Sequence, residues 1–363
     1  MIENKTIAVV IPCFNEDSQI GKVIEHMPSF VDRIVIVDDG STDNTIKVIK
    51  SYIKNDQVRS KVKISRKKVE ATPFNLAEIM LEERNVKEIT KFPEFKFFND
   101  NNFDRIVLIQ KQMNTGNGDA ISVGLKWCKD NCIDATTIMD GDGQMDPNEL
   151  KKIIHPILNE NIDYVKGNRL KYPGAWIIIP KVRFIGNAIL SILTKIASGF
   201  WRVSDTQTGY VAFSSKALNS ITLYSIYKKY GWPNDILIKI NIAMCTIKEV
   251  TIKPVYNAGE QSKMKILNVI FPISWLLIKG FFKRIFLRYL IKDFHPLFIL
   301  YNMSILLLII WIPYLYKICR ALVLGLNLSF EPLFAFSFLG VFGFQSLLFA
   351  MWMDIQDNDR LHN

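Results

Sequence analysis

The sequence predicts an α/β domain of the nucleotide-binding type, followed by interfacial helices and a C-terminal transmembrane hairpin of two helices. Three observations lead to this fold class. Strand-like apolar runs alternate with helical patterns in the first part of the chain, acidic residues follow three of those runs, and two long uncharged stretches occur near the end. The length of 363 residues is sufficient for two or three structural units.

The α/β part is predicted from four strand-like runs, at residues 6–12, 33–40, 105–110 and 135–143. Helical patterns follow them near residues 17–27, 43–52, 119–129 and 147–158. The runs do not alternate apolar with polar residues, which is typical of strands buried on both faces. Strands separated by helices therefore indicate a parallel sheet that is covered on both sides.

Residues 54–102 interrupt this rhythm, and we interpret them as an insertion. A basic run at 59–68, RSKVKISRKK, precedes the segment NLAEIMLEERNVKEITKF at 75–92, which predicts one amphipathic helix. Runs of charge usually lie on a solvated face. A surface excursion is therefore favoured over a contact with substrate or membrane.

Two uncharged stretches, at 296–316 and 332–353, are each long enough to cross a hydrocarbon core of roughly 30 Å as a helix. A pair of buried helices is the alternative. Basic residues concentrate before the first stretch, at Lys279, Lys283, Arg284, Arg288 and Lys292. Fewer lie between the stretches, namely Lys317 and Arg320. The positive-inside rule therefore predicts a hairpin over 295–353, a cytosolic N-terminal part and a cytosolic tail at 354–363.

Residues 266–294 are predicted to form interfacial helices on the cytosolic leaflet, because the apolar stretch before Lys279 is too short to span a membrane. The basic residues recur at helical spacing. Another side of the predicted helix therefore carries Phe282, Ile285, Phe286, Tyr289 and Leu290. Because the basic arc is wide, a buried core helix is the alternative.

Composition narrows the classes of function. Apolar residues make up 49% and charged residues 22%, so the bulk of the chain is not expected to be disordered. The net charge of +10 lies largely beside the predicted spans and in the insertion, so anionic lipid or phosphate substrates explain it better than nucleic acid. The five cysteines form no C-x-x-C pair, which argues against a disulfide framework or a zinc cluster. No signal peptide is expected at the start.

Acidic and amide side chains follow three of the predicted strands. Asn15 and Glu16 follow the first, Asp38 and Asp39 the second, and the turn MDGDGQMDP follows a later one. Parallel strands bind ligands at their carboxyl ends, so these groups are expected to form one site for a metal or a nucleotide. A solvated turn is the alternative for the acidic segment, and Asp146 before Pro147 is interpreted as a helix cap.

Seven motifs occur in the order found in family 2 glycosyltransferases of the GT-A fold, and the chain most resembles the dolichyl or polyprenyl phosphate hexose synthases. The motifs are VVIPCFNE (9–16), VDDGSTDNT (37–45), NTGNGDA (114–120), MDGDGQMDP (139–147), GNRL (167–170), SDTQTGY (204–210) and GEQSK (259–263). The resemblance implies a GT-A catalytic domain with a Rossmann-like mixed sheet over 1–256. It also implies an acceptor loop at the start of 257–294.

The resemblance also implies roles for individual residues on the donor side. A nucleotide sugar would be held by Pro12, Asn15, Glu16, Asp38, Asp39, Asn114, Gly118, Asp140, Gly141 and Ser262. A divalent cation, Mg²⁺ or Mn²⁺, would be held by Asp140, Asp142 and Gln144. These are oxygen ligands of the kind that both ions prefer.

On the acceptor side, Arg169 and Lys263 match the basic residues that position a lipid phosphate in the family. A phosphate is already ionised at neutral pH, so such a reaction needs cations rather than a strong general base. Asp205 and Gln207 match the acceptor-side loop. A surface ion pair is the alternative for Arg169, and Asp235 is expected either to contact the sugar or to cap a helix.

The implied reaction is metal-dependent, inverting transfer of a hexose from a nucleotide sugar to dolichyl or polyprenyl phosphate at the bilayer. Several mannosyl members carry Arg at the position of Asn257, so UDP-glucose or UDP-N-acetylglucosamine is favoured over GDP-mannose. Many relatives carry Lys at the position of Asn117. The alternative is a membrane glycosyltransferase that uses a glycan or glycolipid acceptor in polysaccharide synthesis, although no Q-x-x-R-W string occurs. A homo-oligomer stays open.

Overall fold

The computed structural model describes residues 2, 4–56, 70–99, 104–255 and 267–362, the side chains of 181–185 and 267–269 excepted. Three parts of the sequence analysis therefore lie outside the described residues. They are the basic run at 59–68, the position of Asn257, and the predicted site residues Ser262 and Lys263.

The described residues form one sheet of eight strands. They are β1 Ile7–Cys13, β2 Arg33–Asp38, β3 Phe95–Phe97, β4 Ile106–Lys111, β5 Ala135–Ile138, β6 Tyr164–Asn168, β7 Val211–Ser214 and β8 Ile247–Thr251. The strand order is β3-β4-β2-β1-β5-β7-β6-β8. Strands β4, β2, β1 and β5 are parallel, as the apolar runs predict.

The sheet is mixed, because β3 is antiparallel to β4, and β7 is antiparallel to both β5 and β6. The mixed sheet implied by the resemblance is therefore confirmed, and the parallel arrangement expected from the four strand runs holds for β1, β2, β4 and β5. The reversed β7 could not be recognised from its own residues, because a strand buried on both faces reads the same in either direction.

The helices of the α/β part cover both faces of this sheet. They are α1 Ile20–Glu25, α2 Thr45–Asn55, α3 Leu76–Glu88, α4 Asn117–Asp130, α5 Leu150–Asn159, α6 Ala175–Ile178, α7 Lys181–Ser198, α8 Ser215–Ser220 and α9 Trp232–Ile242. Successive residues of β1 therefore enter two different cores: Val9 packs among residues of one and Val10 among residues of the other. This two-sided burial explains why β1 is continuously apolar.

The predicted insertion differs in detail from the expected single helix. Helix α3 ends at Glu88 and continues as a 3₁₀ turn at Ile89–Lys91. Strand β3 then pairs with β4 at the edge of the sheet. Part of the segment at 54–102 therefore belongs to the sheet.

The last part of the described chain consists of α10 Leu267–Phe286, a π-helical stretch Leu287–Lys292, α11 Pro296–Leu324 and α12 Phe330–Asp359. Helices α11 and α12 are long and apolar enough to cross a membrane. Helix α10 packs against α7 and α9, with Ile273 and Leu277 buried between them.

Two basic residues of the predicted interfacial face are not on a surface. Arg284 and Arg288 are fully buried and form ion pairs with Asp354 and Asp357 of α12. The prediction of a solvent-facing basic arc was therefore wrong for these two residues. The physical reason is that their partners lie in the segment that we had interpreted as a tail.

Residues 354–362 likewise do not form a free tail. Helix α12 continues to Asp359, and Leu361 is buried in the core beside β8. The Ile247 amide donates to the Leu361 carbonyl at 2.7 Å, and the His362 ring contacts Phe200 edge-on with centroids 5.4 Å apart. We call residues 354–362 the docking segment.

We predict that His362 makes stability depend on pH. Burial lowers the pKa of His362 from 6.5 to about 4, and the charge of Arg202 lowers it further. Between these values the unfolded chain binds a proton that the folded chain does not, so stability is complete above pH 6.5 and falls as the pH approaches 4.

The measurement is the melting temperature of wild type and of His362→Gln from pH 7.5 to pH 4.5. Glutamine cannot bind the proton, so the difference between the two proteins should change in favour of the variant below pH 6.5. A difference that stays constant over this range would contradict the prediction.

Candidate active site

The structure brings the loops after β1 and β2 together, as the sequence predicts. The Asn15 amide donates to Ser41 Oγ at 3.0 Å, and the Asn15 side chain accepts from the Thr42 amide at 2.8 Å. Burial raises the pKa of Asp38, whose carboxylate accepts from the Ser41 amide. The two loops therefore present Asn15, Glu16 and Asp38 at one edge of the sheet.

Asp39 lies at the same edge, but its carboxylate is used to hold the protein chain. It accepts from Lys111 Nζ at 2.5 Å and from the Gly116 amide at 2.9 Å. Lys111, at the end of β4, also pairs with Asp119 at 2.9 Å. All three charged groups are buried. Direct contact between Asp39 and a nucleotide stays a prediction, and its described partners give it a role in positioning the glycine-rich loop.

The glycine-rich loop at 114–118 is held between this cluster and the loop at 224–231. A Cβ atom at Gly118 would lie 2.0 Å from the Tyr227 carbonyl oxygen, and one at Gly116 would lie 2.4 Å from the Lys228 carbonyl oxygen. The absence of side chains here therefore allows two backbone segments to meet. Asn114, also predicted for the donor site, lies exposed at the start of this loop.

The acidic turn after β5 contains a strongly perturbed carboxyl group. Burial and then the charge of Asp142 raise the pKa of Asp140 to about 7, with a smaller effect from Glu16. The Asn117 side-chain amide donates to Asp140 at 3.4 Å, and the Gln144 backbone amide donates to Asp142 at 3.0 Å. A buried carboxylate whose pKa is raised by burial and by a neighbouring carboxylate belongs to a donor set that fits a divalent cation.

Other residues of the turn have structural explanations. The Asp146 carboxylate accepts from the Asn148 amide at 2.9 Å, as the cap interpretation expects. A Cβ atom at Gly141 would lie 2.7 Å from Cys13 Sγ, and Pro12 lies beside it in buried β1. Among the described residues, no three His, Cys, Asp or Glu side chains converge on one point. The candidate ligands stay those that the resemblance implies, namely Asp140, Asp142 and the side-chain amide oxygen of Gln144.

Arg169 and Asp205, both predicted for the acceptor side, form a bidentate ion pair. Arg169 Nε lies 2.8 Å from Asp205 Oδ2, and Nη2 lies 3.0 Å from Oδ1. Burial alone would raise the pKa of Asp205, but the charge and hydrogen bonds of Arg169 hold it below its usual value. Asp205 is 1% exposed. Its carboxylate therefore fixes the plane of the guanidinium.

Sequence reasoning missed two buried residues behind this pair. Burial lowers the pKa of Lys166 to about 7, and its amine donates to the Thr208 carbonyl at 2.7 Å. Glu249 of β8 accepts from the amides of Ser204 and Asp205 at 2.8 and 3.2 Å. A charged residue inside a short strand was the only local signal for either of them.

Gln207 and Asp235 are both held by neighbours. The Gln207 amide donates to Asn234 Oδ1 at 3.0 Å. Asp235 lies in the first turn of α9 behind the cap residue Gly231, so the capping alternative was wrong, and contact with the sugar stays a prediction. Its carboxylate accepts from the Tyr227 amide at 2.9 Å and pairs with Lys239, which fixes the loop at 224–231.

The donor and acceptor sides meet at Gly209. A Cβ atom there would lie 3.0 Å from the Trp232 ring and 3.5 Å from Asp140 Oδ2. The loop that carries Asp205 and Gln207 therefore runs directly past the acidic turn. Arg169 is also near enough for its charge to lower the pKa of Asp140.

The site defines a class of protein: an α/β enzyme domain that presents a glycine-rich loop, an acidic turn and a half-buried Arg169 paired with buried Asp205 at one sheet edge. The chain belongs to the family described as "Glycosyl transferase family 2", whose sequence profile matches residues 8–71 and 86–222. The protein is therefore a glycosyltransferase, and the resemblance noted in the sequence is confirmed. The unmatched residues 72–85 contain most of α3.

Three similar proteins illustrate the relationship. The chain is 29% identical over 276 residues to "UDP-N-acetylglucosamine--dolichyl-phosphate N-acetylglucosaminyltransferase" of Methanococcus voltae, covering 76% of this chain and 96% of that protein. It is 21% identical to a "Dolichyl-phosphate beta-glucosyltransferase" of Trichomonas vaginalis, covering 76% and 74%. The solved structure of glucosyl-3-phosphoglycerate synthase from Mycobacterium tuberculosis with phosphoglyceric acid has 19% identity and a TM-score of 0.48, covering 77% and 80%.

We predict that Gly118→Ala displaces the loop at 224–231 and weakens nucleotide binding. The added methyl group would meet a backbone carbonyl, which cannot rotate away, so the free energy of unfolding should fall by about 1–3 kcal/mol. Thermal unfolding and calorimetric binding of UDP and GDP with Mn²⁺ check the two effects.

Gly186→Ala in α7 is the matched control. A Cβ atom at Gly186 meets nothing within 4 Å, so the same substitution should leave stability unchanged or raise it by up to about 1 kcal/mol. Equal behaviour of the two variants would contradict the proposed packing role of Gly118.

Proposed function

We propose that the protein transfers a hexose from a nucleotide sugar to dolichyl or polyprenyl phosphate, with inversion at the anomeric carbon. The observation that carries this proposal is the closeness of the Arg169–Asp205 pair to the acidic turn of Asp140 and Asp142. One side offers carboxylates for a cation and diphosphate, and the other offers a guanidinium for an acceptor phosphate. The names of the Methanococcus and Trichomonas relatives support a dolichyl phosphate acceptor.

On the donor side, we assign Asn15, Glu16 and Asp38 to the base and ribose, since their loops meet at the sheet edge. Asp140, Asp142 and Gln144 would hold Mg²⁺ or Mn²⁺. When bound, such an ion neutralises charge on the departing nucleoside diphosphate. The raised pKa of Asp140 supports this assignment, because a cation would relieve the repulsion between the two carboxylates.

On the acceptor side, Arg169 would orient the lipid phosphate for attack on the anomeric carbon. Asp205 holds the plane of the guanidinium in one orientation, so that little reorganisation is needed when the phosphate binds. Because the attacking oxygen is already ionised, the mechanism assigns no general base. Lys263 and Ser262 would complete the phosphate site on the strength of the resemblance.

Exposed apolar residues support a placement at the membrane. Helices α11 and α12 are candidate spans, and exposed aromatic residues also occur on α6 and α10, at Trp176, Phe271 and Trp275. We infer that the hairpin crosses the bilayer and that the catalytic domain lies on its cytosolic face. A lipid phosphate at the headgroup level would then reach the site without leaving the membrane.

The donor is inferred to be UDP-glucose or UDP-N-acetylglucosamine. Asn257 stands where several mannosyl members have Arg, and the Methanococcus relative is named for a UDP-N-acetylglucosamine donor. Sugars that differ at one hydroxyl or acetamido group are discriminated by a few polar contacts. Direct comparison of donors is therefore the decisive experiment.

We predict that purified protein in detergent, with Mn²⁺ and a short polyprenyl phosphate, forms a glycosyl phosphoryl lipid from a UDP-hexose. UDP-glucose, UDP-N-acetylglucosamine and GDP-mannose are offered separately, and the lipid product is identified by mass. Product from GDP-mannose alone would overturn the donor assignment. Binding of UDP-sugar without any lipid product would favour a glycan or glycolipid acceptor.

We further predict that Asp142→Ala lowers the transfer rate about 100-fold or more, because several kcal/mol of charge stabilisation on the leaving group depend on the cation. Binding of Mn²⁺ with UDP, measured by calorimetry, should weaken in parallel. Asp146→Asn is the matched control, since Asn is an equally good cap and Asp146 is assigned no ligand role. Full activity in folded Asp142→Ala would sink the metal assignment.

A further inference from the structure

Arg284 joins the second candidate span to the end of α7. Its guanidinium forms a bidentate pair with Asp354 of α12, at 2.7 and 2.8 Å. The same group donates to the carbonyls of Ala197 and Ile196 at 2.9 and 3.1 Å. Arg284 is fully buried, so these four contacts connect α10, α12 and the C-terminal turn of α7 at one point.

The backbone at the end of α7 leaves room for the Arg284 side chain. Gly199 ends α7 with φ of +76°, in the left-handed region that favours glycine. A Cβ atom there would lie 2.6 Å from Arg284 Nη1 and 2.9 Å from Asn358 Nδ2. The chain therefore leaves α7 in direct contact with the arginine and with the docking segment.

Arg288 forms a second junction one turn further along. It donates to Asn241 Oδ1 of α9 and to Asn358 Oδ1, both at 2.6 Å, and it pairs with Asp357 at 2.5 Å. Helix α9 also carries Asn234, which accepts from the Gln207 side chain. The docking segment is thus connected to α7 through Arg284 and to α9 through Arg288.

Beyond α12, the docking segment enters the core of the catalytic domain. Leu361 packs in the same core as Phe200, and the His362 ring contacts the Phe200 ring edge-on. Phe200 directly follows Gly199 at the start of the loop at 199–210. The first residues of that loop therefore rest on the docking segment.

The middle of the loop is bonded to β8, which the docking segment also contacts. Leu361 accepts from the amide of Ile247, the first residue of β8. Two residues further along the strand, Glu249 accepts from the amides of Ser204 and Asp205. The loop that presents Asp205 therefore contacts the docking segment directly at Phe200. It also contacts it indirectly through β8.

We propose that the docking segment is a positioning element of the acceptor half of the active site, which sets the Asp205–Arg169 geometry from the membrane side. The inference rests on the proposed function, in which Arg169 holds the acceptor phosphate. The hairpin then does more than retain the enzyme at the bilayer. The end of its second helix then supports the loop that carries Asp205, the partner of Arg169.

The test measures donor and acceptor constants separately in the full chain, reconstituted in nanodiscs with a polyprenyl phosphate. The variants are Leu361→Ala, which removes a side chain of the docking segment from the core that it shares with Phe200, and Arg284→Lys. Lysine keeps a charge for Asp354, but its single ammonium cannot reproduce the forked contacts with Asp354 and the two α7 carbonyls. Gln356→Ala, exposed on the same segment, is the matched control.

For both variants we expect kcat/KM for the lipid phosphate to fall about 10- to 100-fold, as a small displacement of a positioning group can produce. Calorimetric affinity for UDP with Mn²⁺ should be unchanged. Amide hydrogen exchange within residues 199–207 should be faster than in wild type at a temperature where all the proteins are folded. Gln356→Ala should match wild type in all three measurements.

Two results would overturn the inference while leaving the proposed function intact. One is wild-type acceptor kinetics in folded Leu361→Ala and Arg284→Lys. The other is a parallel loss of donor affinity, acceptor kinetics and melting temperature, which is what a purely structural role produces. If wild type itself forms no glycosyl phosphoryl lipid, the proposed function fails and this inference fails with it.

Discussion

The repulsion between two carboxylates at the end of β5 is the constraint around which the site is organised. Parallel β1, β2 and β5 end at the same edge of the sheet, so their acidic loops cannot avoid one another. Neighbouring carboxylates have basic partners: Lys111 pairs with Asp39 and Asp119, and Arg169 pairs with Asp205. The described partners of Asp140 and Asp142 include amides of Asn117 and Gln144. The proposed metal site rests on this pair, because a bound cation would relieve the repulsion between the two carboxylates.

Much of this arrangement could be predicted, because it depends on local patterns and on one topological rule. Apolar runs located β1, β2, β4 and β5, and the rule that ligands bind at the carboxyl ends of parallel strands brought their loops together. The cap at Asp146 could be recognised because a cap needs only its own turn. The order of seven motifs then gave the family, which no single motif could do.

The rest was hidden, because it consists of partners far apart in the sequence. Lys111 and Glu249 are single charges in short strands, and their roles emerge only when β4 and β8 lie beside the loops they hold. Arg284 and Arg288 were misplaced for the same reason. Basic residues at helical spacing suggest an exposed helix face when the sequence does not show their partners. Here the partner carboxylates lie in another helix, 70 residues after Arg284 and 69 residues after Arg288. Burial of an ion pair depends on tertiary contacts that periodicity does not contain.

Strand β8 lies at an edge of the sheet, and its first amide is paired by a residue on the far side of both candidate spans. Asn241 and Asn358, which meet beside it, are 117 residues apart. The core around Leu361 can close only after residue 361 has been synthesised, when both apolar helices are already complete. The last contacts of the α/β core are therefore made by the end of the chain, and they form only when α11 and α12 return that end to β8.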